Sequence, residues 1–263
     1  MPYDLRRNGE PYMSSLRFDP RQLTGNALKF IAAISMVIDH IGYLIFPKVT
    51  VLRIIGRLAF PIFAFMISEG AKYTKNRLRY LLTLSGFATV IQLVYYVYSK
   101  SLKMSVMVTF TLAVCMIYAL DLLKEKIFSP TASAPEKLIS LLVLPTLIIA
   151  VRLINDQFDI DYGFWGCMLP VFASLLVAPK KDPPAFFSVI DQIPFRVTTL
   201  GIGLLMLYLE YGGIHTWSFI ALPILMLYSG KRGTLKTKYF FYFFYPLHLV
   251  ILQGIDMLID KLG

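Results

Sequence analysis

Asp39 and His40 are neighbours inside an apolar run, residues 28–47, about the length a helix needs to cross a bilayer core. An acid and an imidazole within such a span are costly unless each has a partner or a task. A neutral imidazole is the side chain best matched to taking a proton near pH 7. On a helix Lys29, Ala33, Met36 and His40 fall at offsets of four, seven and eleven and share one face. That sets a cation at the membrane boundary and a base about 16 Å further in, given a rise of ~1.5 Å per residue. The stripe suits a long substrate with phosphates at one end and a reactive group at the other, the shape of a coenzyme A thioester. A lysine snorkelling to headgroups and a packed core histidine would give the same stripe, so this helix alone leaves both readings open.

Asp39 cannot orient the ring of His40, because adjacent helical residues point about 100° apart. An arginine across a helix interface is the expected partner. Arg53 and Arg57, four apart in the second apolar run (residues 51–71), are placed at a similar depth. Pro61 follows Arg57 by four residues and is expected to kink the helix and free the carbonyl of residue 57. Ser68 and Glu69 fall at the other end of that run, where Glu69 reads as a helix-end charge paired with the cluster around Lys72. In the last apolar run Tyr245 and His248 are three apart and share a face beside Pro246, a second intramembrane histidine. Asp156, Asp159, Asp161 and Tyr162 read as a solvated acidic loop or as an attractor for a cationic acceptor, and His215 as an exposed residue of an outer turn. The sequence contains no phosphate-binding glycine loop, no Ser-His-Asp order and no metal-ligand spacing; Cys115 and Cys167 lie in apolar runs and read as packing thiols.

The elements that must position these residues are membrane spans. With 57% apolar and 16% charged residues, the 263-residue chain lies outside the range of an ordinary soluble domain. Nine apolar segments can be marked: residues 28–47, 51–71, 79–98, 104–123, 138–154, 161–178, 194–210, 216–229 and 238–259. The fifth and eighth look short for a span, and each carries a proline, Pro145 and Pro223. The net charge of +10 is dispersed in short clusters between apolar runs, which argues for loop charges and against a nucleic-acid surface. Every even connection is basic: Lys72, Lys75, Arg77 and Arg79; Lys124, Lys126 and Lys137; Lys180 and Lys181; Lys231, Arg232, Lys236 and Lys238. The odd connections are poorer in basic residues. The expected fold class is therefore an all-α polytopic membrane protein of about nine transmembrane helices, N-terminus cytoplasmic and C-terminus outside.

The first 25 or so residues are polar, carry Arg6, Arg7, Arg17 and Arg21, and lack a signal-peptide pattern. Residues 1–27 read as a basic cytoplasmic segment and residues 28–263 as a single transmembrane domain. Residues 183–190, with Pro183, Pro184, Phe186 and Phe187, read as a segment lying in the cytoplasmic interface.

With these residues placed, the chain resembles the TraX family of integral-membrane acetyltransferases, named for the protein that N-acetylates F-type pilin. The resemblance runs from about Leu28 to the end of the ninth segment. It rests on Leu28-Lys29 through Ile38-Asp39-His40-Ile41-Gly42, on Leu52-Arg53 through Gly56-Arg57 to Phe60-Pro61 with Ser68-Glu69-Gly70, on Asp161-Tyr162-Gly163, and on Tyr228-Ser229-Gly230-Lys231-Arg232-Gly233 with Tyr245-Pro246-Leu247-His248. More distantly it is similar to membrane acyltransferases in which a basic residue precedes a catalytic histidine by eleven, here Lys29 and His40. The resemblance implies acetyl-CoA as donor and His40 as base. One step differs: Gln92-Leu93-Val94-Tyr95-Tyr96 stand where the family leads one to expect an acidic, proline-containing step, so the acceptor need not be pilin.

The expectation is an acetyltransferase of the bacterial inner membrane. It would take the acetyl group of acetyl-CoA to an amine, a peptide or pilin N-terminus among them, or to a hydroxyl. His40 with Asp39 would be catalytic; Arg53, Arg57, Tyr245 and His248 would face the substrate or oxyanion; Lys29, Ser68, Glu69, Lys72, Lys231 and Arg232 would hold the cofactor; no metal is expected. The alternatives are a proton-coupled transporter using Asp39, His40 and His248, and a non-enzymatic subunit of a pilus or conjugation apparatus.

Overall fold

The computed structural model describes residues 22–234 and 238–262, and the regular elements among them are helical apart from two isolated bridges. Most of the basic N-terminal segment, with Arg6, Arg7, Arg17 and Arg21, lies outside the described residues, as does Lys236.

The chain runs α1 (Gly25–Leu44), α2 (Thr50–Gly56), α3 (Ala59–Tyr73), α4 (Arg77–Ser99), α5 (Val106–Ile127), α6 (Ala134–Phe158), α7 (Gly163–Ser174), α8 (Phe187–Ile190) and α9 (Ile193–Tyr211). A 3-10 helix (Gly213–Ile220), α10 (Ala221–Met226) and α11 (Lys238–Leu262) follow. Each of the nine apolar segments falls on helix. Among the described residues six spans are long and apolar enough to cross a membrane, α2 and α3 counting as one; Gly163–Ser174, Gly213–Met226 and Phe243–Leu258 are shorter apolar stretches. The fifth segment is not short: α6 has 25 residues and carries Pro145 within it. Its start is fixed by a capping box between Ser133 and Glu136, and a membrane helix tolerates an internal proline when neighbouring groups take up the freed carbonyl. The eighth is short as expected, a 3-10 helix and α10 dividing Gly213–Met226, and the sixth is short as well, where α7 has 12 residues.

The second segment divides where the proline predicted a bend. Arg57 and Leu58 link α2 to α3, which places Pro61 in the first turn of α3, where a missing amide hydrogen costs little. The start of α1 is closed by the chain that follows α10. The Thr24 hydroxyl accepts from the Ala27 amide at 3.2 Å, and the amides of Gly25 and Asn26 donate to the carbonyls of Lys231 and Arg232 at 2.8 and 3.0 Å. Those contacts satisfy donors that a helix N-terminus otherwise leaves unpaired.

The main core gathers Leu28 and Ala32 of α1, Phe60, Ile62 and Phe65 of α3, and Leu200, Leu204 and Leu207 of α9. A second cluster joins Met116 and Ile117 of α5 to Cys167 and Val171 of α7 and Val151 of α6. Helices α4 and α6 lie outermost and expose Leu82, Val90, Leu138, Leu142, Ile149 and Leu153. Such a surface is a liability in water and the ordinary one in a hydrocarbon solvent. Helix α11 packs on α1, with the Phe30 ring 5.7 Å from Phe240 and 5.2 Å from Phe241.

Candidate functional site

Asp39 meets both expected arginines. Its Oδ2 accepts from Arg53 Nη1 at 2.9 Å, and Arg57 Nη2 donates to both carboxylate oxygens at 2.7 Å. The Arg57 side chain is 7% exposed and that of Arg53 26%. Close approach of α1 and α2 depends on glycine: a Cβ on Gly42 would lie 2.7 Å from Leu52 Cβ, and one on Gly56 would overlap the Asp39 side chain. The carboxylate thus holds two helices together, and these hydrogen bonds go to the arginines and not to the imidazole beside it in sequence.

His40 instead meets a histidine from the other end of the chain. The rings of His40 on α1 and His248 on α11 are 5.0 Å apart between centroids and inclined at 71°. His40 Nδ1 is 2.8 Å from the carbonyl of Met36, and His248 Nδ1 is 2.9 Å from that of Phe244. A carbonyl oxygen only accepts, so each Nδ1 carries the hydrogen, and in its neutral form each ring then has a bare Nε2. His248 is 6% exposed, and its Nε2 is buried with no hydrogen-bond partner among the described residues. Tyr245 packs edge-on to the same ring at 5.7 Å, and Arg53 and Arg57 lie within electrostatic reach of His40. A buried nitrogen lone pair without a donor is an uncommon expense in a folded core.

The residues expected to hold the cofactor separate into two groups. Lys29 lies within electrostatic reach of Arg232, and Lys231 and Arg232 are exposed on the turn that closes the start of α1. These three cations share one end of α1, with His40 toward the other. Ser68, Glu69 and Lys72 are already partnered. Glu69 pairs with Arg196 of α9 and accepts from the Tyr228 hydroxyl at 2.8 Å. Ser68 Oγ lies 2.7 Å from Ser174 Oγ and accepts from Arg196 at 3.1 Å, and Lys72 pairs with Asp191 at 2.7 Å. Glu69 is therefore not a helix-end charge of the Lys72 cluster: it faces inward, where a buried carboxylate needs a buried cation.

Sequence reasoning missed Arg196, and the signal was available, an arginine just inside the seventh apolar segment facing no acid of its own helix. It also read Lys124 as a loop charge. Its Nζ is buried and donates to the carbonyls of Ser174 at 2.7 Å and Val177 at 2.9 Å, while Arg196 Nε donates to that of Ala173 at 3.1 Å. Two cations thus cap the end of α7, which lets a 12-residue helix stop inside the protein.

His215 is not an exposed turn residue. It is half-buried, packed 6.1 Å from the Tyr162 ring and 5.7 Å from Tyr211, and its Nδ1 is buried without a partner among the described residues. The acidic loop also divides. The Asp159 side chain is 76% exposed, whereas the Asp161 carbonyl accepts from Thr109 at 2.8 Å and burial pushes its carboxyl up to about 6. Tyr162 and Gly163 both take left-handed backbone conformations, φ 62° each, and the Tyr162 ring stacks on Phe60 at 3.7 Å. Gln92, at the step that departs from the family pattern, donates to the Lys103 carbonyl at 2.9 Å and accepts from the Ser105 amide at 3.1 Å, tying α4 to the connection before α5. No group of three or more His, Cys, Asp or Glu among the described residues is placed to hold a metal.

Residues 24–256 match the family model described as TraX protein. A probable fimbrial assembly protein of Dichelobacter nodosus, FimC of serogroup H1, is 28% identical over 262 residues, covering 89% of this chain and 96% of that protein. An uncharacterised protein of Rickettsia prowazekii is 34% identical over 94 residues, and the matched stretch spans 35% of each chain, about a third of that relative's length. No solved structure matches.

Proposed function

The chain belongs to the TraX family, and from that premise we propose that it is a membrane-embedded acetyltransferase with His40 as general base. The observation that carries the reading is the meeting of two histidines from α1 and α11, each locked through Nδ1 to its own helix and each left with a bare Nε2. Acetyl-CoA is the donor. Its phosphates lie toward Lys29, Lys231 and Arg232 at the cytoplasmic end of α1, and its thioester near His40. His40 Nε2 takes a proton from an amine or hydroxyl as that atom adds to the thioester carbonyl; the C–S bond then breaks and coenzyme A leaves as the thiol. A bare Nε2 cannot donate to an oxyanion, so that role passes from His248 to the Tyr245 hydroxyl or the more exposed Arg53. Asp39 acts through the helix packing it enforces with Arg53 and Arg57. The site for this protein is the bacterial inner membrane, with the N-terminus cytoplasmic.

The test uses purified protein in detergent. Acetyl-CoA is expected to raise the unfolding temperature, and Lys29→Ala to abolish that rise while leaving the protein folded. Proton uptake in liposomes with no response to coenzyme A would favour a proton relay through His40 and His248. The name of the Dichelobacter relative supports a second reading, a fimbrial or pilus assembly subunit whose buried charges only join helices. Unchanged assembly in a His40→Gln strain would favour that one.

A further inference from the structure

An amine acceptor reaches the site as an ammonium and has two protons to lose. One must leave before the nitrogen has a lone pair, the second as the C–N bond forms. A single base handles the second. The structure holds two acceptors of the same kind at one place: His40 and His248 are 5.0 Å apart, and with both Nδ1 hydrogens committed to backbone carbonyls, both offer Nε2 and neither offers a donor. The His248 nitrogen is the more telling, since it is buried, on a residue 6% exposed, with no hydrogen-bond partner among the described residues.

We propose that His248 is a second catalytic base, whose Nε2 takes the first proton of an ammonium acceptor before His40 takes the second. The proposal rests on the acetyltransferase reading and assigns a role to a residue which that reading leaves without one. The balance closes as follows. His248 removes one proton from the ammonium and passes it to water. The free amine attacks the thioester carbon, His40 accepts the second proton as the C–N bond forms, and that proton moves to the sulfur as the C–S bond breaks. The two imidazoles act in turn, because like charges this close do not coexist in an apolar site. Around His40 stand Asp39 of its own helix and Arg53 and Arg57 of the neighbouring turn, two cations to one anion. Around His248 stand His40 and Tyr245, with Asp161 and Tyr162 beyond Tyr245.

The experiment follows acetyl-CoA thiol release in detergent with a short apolar peptide as acceptor, from pH 6.5 to 9. A peptide α-amine, with an ordinary pKa of about 7.7–8.0, is mostly ammonium at the lower limit and mostly free at the upper. Wild type is expected to show little pH dependence from the amine. His248→Gln should lose about 15- to 30-fold at pH 6.5, the inverse of the free-amine fraction there, and recover as the free amine forms. A loss that is the same at every pH, or no loss, would overturn the proposal while leaving the acetyltransferase reading standing. Nitrogen-15 NMR of the histidine-labelled protein decides the point without any acceptor, with His215→Gln and His248→Gln assigning the three rings. Bare Nε2 atoms on both rings at pH 8 support it, and a protonated His248 Nε2 overturns it. Failure of acetyl-CoA to stabilise the wild-type protein is a separate result and overturns the acetyltransferase reading itself.

Discussion

Asp39 is held by two cations, and the two contacts are unequal. Arg57 is almost fully buried and reaches both carboxylate oxygens through Nη2, so Arg57→Met should leave a desolvated carboxylate and cost about 3–5 kcal/mol. Arg53→Gln removes a contact that is a quarter exposed and should cost about 1 kcal/mol or less. Chemical denaturation of the two variants in detergent checks the order, and Asp39→Asn combined with Arg57→Met should recover part of the larger loss. Asp161 gives a pH-dependent case. It lies in the connection between α6 and α7, with its carboxyl at about 6 in the folded protein and about 3.9 when unfolded. The folded state binds the proton more tightly, so the group's contribution is fully present below about pH 4 and is lost as pH rises through about 6. Asp161→Asn should therefore stabilise the protein at pH 8 and change nothing at pH 4, as read by thermal unfolding at both values. The Asp39 pairing was legible because burying a carboxylate beside a helix interface demands a cation, and Arg53 and Arg57 were the near ones. The Glu69 pairing was not legible. Its partner Arg196 is 127 residues away, and hydropathy does not say which way a side chain at a helix end turns.

At the scale of elements, the shortness of α7 depends on side chains from two other helices. Lys124→Met would strip donors from the carbonyls of Ser174 and Val177 and is expected to destabilise by about 1–3 kcal/mol per carbonyl left unpaired. Lys126→Met, on an exposed pair with Glu136, should change stability little and serves as the control in the same unfolding measurement. The break between α2 and α3 is equally specific. A methyl group on Gly56 would occupy the Asp39 side chain's place, so Gly56→Ala should lose stability comparable to Arg57→Met. All nine apolar segments were legible as helices, because a hydrophobic run in lipid has few other ways to satisfy its backbone. Their lengths were not. Pro145 made the fifth look short although its cap and composition carry α6 to 25 residues, while the sixth ends early for reasons that sit on α5 and α9.

For the whole molecule the open quantity is which side each end faces. The basic even connections predict that Thr131 faces the cytoplasm and Thr216 the outside. With Cys115 and Cys167 replaced, Thr216→Cys should react with an impermeant maleimide on intact cells, and Thr131→Cys only after permeabilisation. That orientation puts Lys29 and its neighbouring cations on the side where acetyl-CoA is made, and the histidine pair deeper along α1, the arrangement on which the proposed transfer depends. The histidine pair itself joins residues 208 positions apart and was legible only as two separate costs, each unlikely to be tolerated without a use. The direct test is mass spectrometry of membrane and secreted material from cells carrying the wild-type protein or His40→Gln. A component that gains one acetyl group with the wild type and not with the variant is the predicted result. Acetylation that is identical in the two strains would contradict the account.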